Sequence, residues 1–161
     1  MRYYDTQRAS MDAIASRSEP AEHGLMVYHR QDGRRRFCVS PWESFATKYL
    51  ALHKDHRHFH ELIREETPAK LHVDIDVLLQ ENVQFSYLSR VEALIKAINN
   101  GLKILFDVDI TQDQVLRMDS SRPEKFSQHL VFPTVVFANN LQCGYFLKRL
   151  ADSARDALDN Q

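Results

Sequence analysis

Leu71-His72-Val73-Asp74-Ile75-Asp76 alternates apolar and polar residues, which predicts a β-strand with one buried and one exposed face. Because side chains alternate between the two faces of a strand, Asp74 and Asp76 are expected to emerge side by side. Two carboxylates on one face repel each other unless a divalent cation lies between them. The stretch therefore indicates a metal site, although a solvent-facing strand is the commoner reason for such alternation.

A second stretch, Lys125-Phe126-Ser127-Gln128-His129-Leu130, predicts another strand. The period of two places Ser127 and His129 on one face, with Lys125 one step further along that face. A lysine supplies a positive charge, and serine and histidine supply hydrogen bonds, so the row suits a bound triphosphate. Taken alone, the stretch is better explained by a half-buried strand with a hydrogen-bonded histidine.

Length and composition limit the classes of protein to consider. The chain has 161 residues, enough for a domain with its own core, and is 43% hydrophobic and 27% charged, as in ordinary globular proteins. The net charge of −1 means that nucleic-acid binding would need a local basic surface. With four glycines and no G-x-x-x-x-G-K-[ST] or G-x-G-x-x-G pattern, phosphates would be held by side chains.

Cysteine usage and hydropathy indicate a reduced, intracellular protein without a membrane segment. Cys38 and Cys143 lie in separate segments without C-x-x-C spacing, so no structural zinc site is predicted. The histidines between His53 and His60 have no thiol nearby, which also argues against zinc. No apolar run approaches the roughly 18 residues of a membrane span, and the N-terminus lacks the apolar core of a signal peptide.

Strands and helices interleave along the chain without repeats. Residues 1–24 are predicted to be a polar lead-in that can hold a short helix, and residues 25–161 the folded core. The predicted elements of that core are strands at about 25–28, 36–39, 71–77 and 115–118, and helices at about 41–53, 85–106 and 140–158. Residues 126–132 and 134–137 are predicted to be two strands or one strand bent around Pro133. This order predicts an α+β or α/β fold with one layer of helices on a sheet.

Several local expectations accompany these elements. Ser40 is expected to cap the first helix, and Asn139 or Asn140 the last. Two apolar stripes are expected to lie in the core, one at Trp42, Phe45, Tyr49 and Leu52 and one running from Phe85 to Leu105. A second D-x-D, Asp107-Val108-Asp109, follows a helix and is expected to be a loop. Gln128 shares its face with apolar neighbours, which suggests a position at a sheet edge.

The two polar strands resemble motifs I and II of the archaeo-eukaryotic primase superfamily, and most closely its PrimPol branch of DNA-directed primase–polymerases. The resemblance rests on Asp74-Ile75-Asp76 followed, in the same order as in the family, by Asp119-Ser120-Ser121 and by Glu124-Lys125-Phe126-Ser127-Gln128-His129. It covers roughly residues 25 to 151. PrimPol enzymes usually have glutamate at the position of Asp76, whereas other members of the superfamily use D-x-D.

The resemblance implies an α+β primase core that is incomplete at its C-terminus, with an N-terminal α/β module and part of an RRM-like catalytic module. It implies Mn²⁺ or Mg²⁺ held by Asp74 and Asp76, and an incoming triphosphate held by Lys125, Ser127 and His129. The family's third catalytic acid and its Cys/His zinc module lie further downstream, and nothing in this sequence corresponds to them.

The implied function is that of a DNA primase and DNA-directed DNA polymerase acting in repriming and damage tolerance, in the nucleus or the mitochondrion. Its implied partners are single-stranded DNA template, nucleoside triphosphates and single-strand-binding proteins, with no membrane. Arg34-Arg35-Arg36 is a candidate contact for nucleic acid, although a solvated turn flank is the commoner explanation. The alternatives are a truncated, non-catalytic module that binds nucleotide or single-stranded DNA, and a metal-dependent phosphoesterase.

Overall fold

The computed structural model describes residues 1–30, 32–79 and 87–159. It divides into two compact units, Met1–Ile63 and Arg64–Gln161, each with a sheet of its own. Every strand pair in both sheets is antiparallel. The class is therefore α+β.

The first unit is a four-stranded sheet in the order β1-β3-β2-β4 with two helices. Its elements are β1 (Arg2–Tyr4), α1 (Gln7–Ala15), β2 (His23–His29), β3 (Arg35–Pro41), α2 (Trp42–Ala51) and β4 (Phe59–Glu61). A turn at Gly33, with φ of 77°, joins β2 to β3, as the Asp-Gly pair indicates. Its core is small and contains Ile14, Leu25, Val27, Phe37 and Val39.

Residues 1–24 contain more structure than a polar lead-in. The strand β1 pairs with β3, and the helix α1 buries Ile14 against the sheet with 1% of its surface exposed. The expected short helix is present, and β2 already begins at His23. The first unit therefore uses these residues as part of its sheet and core.

The expectations for α2 are wrong in two respects. Ser40 does not cap the helix, because β3 continues through Pro41 and the register pairs Ser40 with Gly24 inside the ladder. No residue of α2 is buried, and Trp42 is 41% exposed. The aromatic side chains of α2 instead pack at the unit's surface, where Phe45 and Tyr49 contact Phe59 with ring centroids 5.5 and 6.2 Å apart.

The second unit has one layer of helices on a three-stranded sheet. This arrangement was predicted for the chain as a whole, whereas the structure has two sheets, one in each unit. The elements of the second unit are β5 (Ala69–Leu78), α3 (Tyr87–Phe106), β6 (Leu116–Asp119), β7 (Lys125–Phe137) and α4 (Asn140–Asp159), and the strand order is β5-β7-β6. Its core joins apolar residues of the sheet and both helices, among them Leu71, Leu130, Phe132, Ile95, Ile98, Leu102, Cys143 and Phe146. Because the helices cover the apolar face, the polar face of the sheet is left open.

Two expectations for the sheet have different outcomes. The segment around Pro133 is one bent strand, in which the register moves from Leu71 opposite Phe132 to Lys70 opposite Val136. The edge position expected for Gln128 is wrong, because β7 is the central strand and Gln128 is only 5% exposed.

The helices and loops of the second unit largely match those predicted from the sequence. The α3 stripe is buried at Val91, Ile95, Ile98 and Leu102 but exposed at Leu88 and Leu105, and Phe85 lies outside the described residues. Asn139 caps α4, since its Oδ1 accepts the Gln142 N–H at 2.9 Å. The second D-x-D is a loop, and its Asp107 forms an ion pair with Lys103 at 2.7 Å.

None of the helices in the described ranges is long and apolar enough to cross a bilayer.

Two helical glycines give a matched pair of stability tests. A Cβ at Gly101 would overlap the Leu150 side chain, whereas a Cβ at Gly144 would have nothing within 4 Å. Gly144→Ala is therefore expected to stabilise the protein by about 0.5–1 kcal/mol through helix propensity. Gly101→Ala is expected to destabilise it by up to about 2 kcal/mol, because overpacking outweighs propensity.

Urea unfolding of both variants measures the difference. In a Leu150→Ala background the penalty at Gly101 should disappear, since the overlapping side chain is gone. Equal stabilisation by the two alanines in the wild-type background would contradict the close packing of α3 against α4.

Candidate active site

The register of β5 and β7 brings the two predicted polar rows together on the open face of the sheet. Asp74 lies opposite His129, Asp76 lies opposite Ser127, and Leu78 lies opposite Lys125. The odd-numbered residues of β5 and the even-numbered residues of β7 between Phe126 and Phe132 face the helices, so the site residues face away from them. All five residues assigned to the site from sequence therefore lie on one surface.

Each carboxylate in this surface has a partner from the opposite strand. His129 Nε2 lies 2.9 Å from Asp74 Oδ1, and Lys125 Nζ lies 2.7 Å from Asp76 Oδ2. The Ser127 hydroxyl donates a hydrogen bond to Asp76 Oδ1 at 2.7 Å. The repulsion between the two acids is thus offset by two nitrogen side chains and a hydroxyl.

The accessibility of the site residues differs along the surface. The side chains of Asp74, Asp76 and His129 are 61%, 50% and 50% exposed, and that of Lys125 is 35% exposed. Ser127 is only 4% exposed, because it lies beneath Asp76 and the loop that follows β6. A ligand can therefore reach the acids and their nitrogen partners from solvent, while Ser127 forms the floor.

The partners of Asp76 affect its protonation. Hydrogen bonds from Lys125 and then from Ser127, with a smaller opposing effect of burial, lower the pKa of the Asp76 carboxyl. A charged Asp76 is thus favoured in the folded protein at all but strongly acid pH.

This lowered pKa predicts a pH dependence of stability. A carboxyl whose pKa is lower in the folded than in the unfolded state stabilises the fold above its unfolded pKa of about 3.9, and the contribution is lost as the pH falls through the folded value. The urea concentration at the midpoint of unfolding should therefore decrease as the pH is lowered from 5 into the acid range. The decrease should be smaller in Asp76→Asn. Asp109→Asn, in the loop, is the control, and an unchanged slope in Asp76→Asn would contradict the assignment.

The loop between β6 and β7 provides residues that sequence reasoning did not assign a role. Ser120 Oγ lies 2.9 Å from Ser127 Oγ, and the Ser127 N–H donates to Ser121 Oγ at 3.0 Å. The sequence contained a signal for them, since Asp119-Ser120-Ser121 is part of the pattern that carries the family resemblance.

Gln128 has a structural explanation once the sheet order is known. It faces the helix side of the sheet and lies opposite Asp119 in the register of β6 and β7. Hydrogen bonds from Ser121, followed by a weaker one from the Gln128 side chain, lower the pKa of Asp119. The Gln128 side chain therefore lies near the Asp119 carboxyl, and among the described residues its buried Oε1 has no hydrogen-bond partner.

The arginines Arg34, Arg35 and Arg36 belong to the first unit, at the start of β3 and the turn before it. Arg34 and Arg35 are exposed, whereas Arg36 forms an ion pair with Asp5 at 3.2 Å and lies over the Tyr3 ring at 5.3 Å. Within residues 1–30, 32–79 and 87–159, no three His, Cys, Asp or Glu side chains gather into a group that could hold a metal.

Comparison with known proteins points to one group of relatives. No family model matches the chain. It is 32% identical to the DNA-directed primase/polymerase protein of Homo sapiens over 162 residues, which cover 99% of this chain and 29% of the relative. It is 32% identical to the protein of that name from Gallus gallus, over 77% of this chain and 22% of the relative, and 30% identical to that from Bos taurus, over 76% and 22%. The chain thus spans less than a third of these relatives.

Proposed function

Since the chain is homologous to the DNA-directed primase/polymerase proteins, we propose that it carries part of the catalytic centre of a DNA primase and DNA-directed DNA polymerase. The observation that carries this proposal is the register that sets Asp74 and Asp76 against His129, Ser127 and Lys125 on one open face. In this proposal, the first unit corresponds to the N-terminal α/β module of a primase core and the second to part of its RRM-like catalytic module.

The acids of this face fit a divalent cation. Asp74 and Asp76 present carboxylate oxygens side by side on an exposed surface, and Mg²⁺ and Mn²⁺ prefer oxygen ligands. When bound, such ions activate the attacking 3′-hydroxyl and neutralise the leaving pyrophosphate. Asp76 already receives hydrogen bonds at both oxygens, so a cation there competes with Lys125 and Ser127.

The basic and hydroxyl residues suit the triphosphate. Lys125 offers a positive charge, and Ser127 and His129 offer hydrogen bonds, all from one strand face. In the structure these groups contact the two acids. A triphosphate supplies alternative anionic oxygens. The three residues can therefore exchange a carboxylate acceptor for a phosphate acceptor while they remain on the same surface.

The remaining features of the function are part of the same proposal. The single-stranded DNA template is proposed to contact Arg34 and Arg35, which are exposed at the β2–β3 turn. The proposed biological role is repriming and tolerance of damaged DNA in the nucleus or mitochondrion, with single-strand-binding proteins as partners and no zinc in these residues.

A second candidate is a non-catalytic module that binds nucleotide or single-stranded DNA. The number of acidic residues at the site favours this candidate. Among the described residues only Asp74 and Asp76 lie there, whereas enzymes of the family use a third acid. The two candidates share a binding surface and differ in whether phosphoryl transfer takes place.

Two measurements on the 161-residue chain separate these candidates. The first is titration of a nucleoside triphosphate with and without Mn²⁺, and the second is primer synthesis on single-stranded template. Tight Mn²⁺-dependent binding with product supports the polymerase, and binding without product supports the binding module. Hydrolysis of the triphosphate without incorporation would indicate the phosphoesterase, and absence of binding would contradict the proposed site.

A further inference from the structure

We propose that Ser120 and Ser121 are positioning residues, which hold Ser127 in place and fix its hydroxyl as a hydrogen-bond donor toward the anion at the site. Ser127 is 4% exposed and joins β7 to both Asp76 on β5 and the loop after β6. The consequence for nucleotide binding rests on the proposed function, whereas the positioning itself is a property of the ligand-free protein.

The direction of the hydrogen bonds follows from the number of hydrogens available. An ionised Asp76 can only accept, so the single hydroxyl hydrogen of Ser127 is used in the 2.7 Å contact with Asp76 Oδ1. The 2.9 Å contact between Ser120 Oγ and Ser127 Oγ must then be donated by Ser120. The result is a chain of hydroxyls that runs from Ser120 through Ser127 to the carboxylate.

This direction is the one that a triphosphate needs. A phosphate oxygen, like a carboxylate oxygen, accepts hydrogen bonds, so Ser127 can exchange Asp76 for phosphate without rotating its hydrogen away. Because Ser120 already occupies the acceptor side of Ser127, the hydroxyl hydrogen is kept directed toward Asp76. Each bond in such a chain polarises the next and strengthens the final donor.

The main chain of Ser127 is held by the same loop. Its N–H donates to Ser121 Oγ at 3.0 Å, and its carbonyl accepts the Ser120 N–H at 2.9 Å. Ser121 is held in turn, because its own N–H donates to Asp119 Oδ1 at 2.8 Å. Two adjacent serines thus fix one residue, Ser121 through the backbone and Ser120 through both the backbone and the hydroxyl.

A double-mutant cycle on the complete chain tests the proposal with two readouts. Ser120→Ala is expected to weaken Mn²⁺-dependent triphosphate binding about three- to tenfold, the size of one hydrogen bond, and Ser120→Thr to restore it. In a Ser127→Ala background, Ser120→Ala should have no further effect on binding. Ser153→Ala, which removes an exposed serine hydroxyl of α4, is the control and should leave binding unchanged.

Urea unfolding without ligand is the second readout and is independent of nucleotide. It uses the four proteins of the cycle, which are the wild type, Ser120→Ala, Ser127→Ala and the double variant. Coupling between Ser120 and Ser127 in unfolding is expected, and additive effects there would overturn the hydroxyl chain. If the wild type binds no triphosphate, the proposed function fails and the unfolding cycle alone decides the positioning. If the wild type binds triphosphate but Ser120→Ala weakens binding by the same factor in the wild-type and Ser127→Ala backgrounds, the positioning role in binding is overturned.

Discussion

Asp76→Asn and Asp74→Asn are each expected to reduce template-directed nucleotide incorporation about a thousandfold. A carboxylate that holds a catalytic cation contributes several kcal/mol to the transition state, and each 1.36 kcal/mol corresponds to about tenfold in rate. Asparagine keeps the shape of either side chain and, at position 76, an oxygen that accepts from Ser127, but it removes the negative charge. Primer extension on single-stranded template with Mn²⁺ gives the rates.

The chain contains its own control for this prediction. Asp109→Asn alters the second D-x-D, in the loop after α3, where Asp109 accepts a hydrogen bond from Asn99 at 3.2 Å. Incorporation by this variant should equal that of the wild type. Equal, background-level product from the wild type and Asp74→Asn would instead support the non-catalytic binding module.

The same substitutions should change stability little. The side chains of Asp74 and Asp76 are 61% and 50% exposed, and ion pairs at such exposed positions contribute little to stability because solvent screens them. Melting curves of Asp74→Asn and Asp76→Asn should therefore lie close to the wild type at neutral pH. A large loss of melting temperature would assign these residues a structural role and remove the reason for interpreting lost activity as lost chemistry.

Lys125→Ala is expected to change the binding of the two ligands in opposite directions. Triphosphate affinity should fall about tenfold to a hundredfold, because a charge-assisted hydrogen bond to an anion contributes about 1.5–3 kcal/mol. Mn²⁺ alone should bind more tightly, because Asp76 Oδ2 is no longer held by the ammonium group at 2.7 Å. Calorimetric titrations with each ligand separately measure the two effects.

Lys103→Ala is a matched control for this experiment. Lys103 makes an ion pair of the same 2.7 Å length with Asp107, away from the site in the α3 end and its loop. Neither titration should change in this variant. Weaker Mn²⁺ binding in Lys125→Ala would contradict the competition between Lys125 and a cation for Asp76.

The composition of the site was predictable from sequence, but its pairing was not. A period of two is enough to place Asp74 with Asp76 and Ser127 with His129, because strand geometry fixes the face of each side chain. Which acid contacts which partner depends on the register between β5 and β7, where for example Asp76 and Ser127 are 51 residues apart in sequence. That register is set by core packing. For the same reason the burial of Ser127 was not foreseen.

The incorrect expectations share a physical cause, which is tertiary context that overrides a local signal. Ser40-Pro41 is a strong helix start on its own, but pairing with β2 keeps Ser40 in the ladder. Gln128 looked like an edge residue until the order β5-β7-β6 placed it in the middle of the sheet. Neither the pairing of Ser40 nor the strand order around Gln128 can be predicted from neighbouring residues in the sequence.

The irregularity at Pro133 separates two parts of β7 that tolerate change differently. Between Lys125 and Phe132 a one-residue slip would turn every polar side chain of the row toward the helices. Beyond Phe132, β7 already contains extra residues relative to β5. Residues can therefore be inserted or deleted there without changing the positions of the polar row. The irregularity at Pro133 therefore lets the end of the sheet that leads into α4 diverge, while the register that forms the proposed site is preserved.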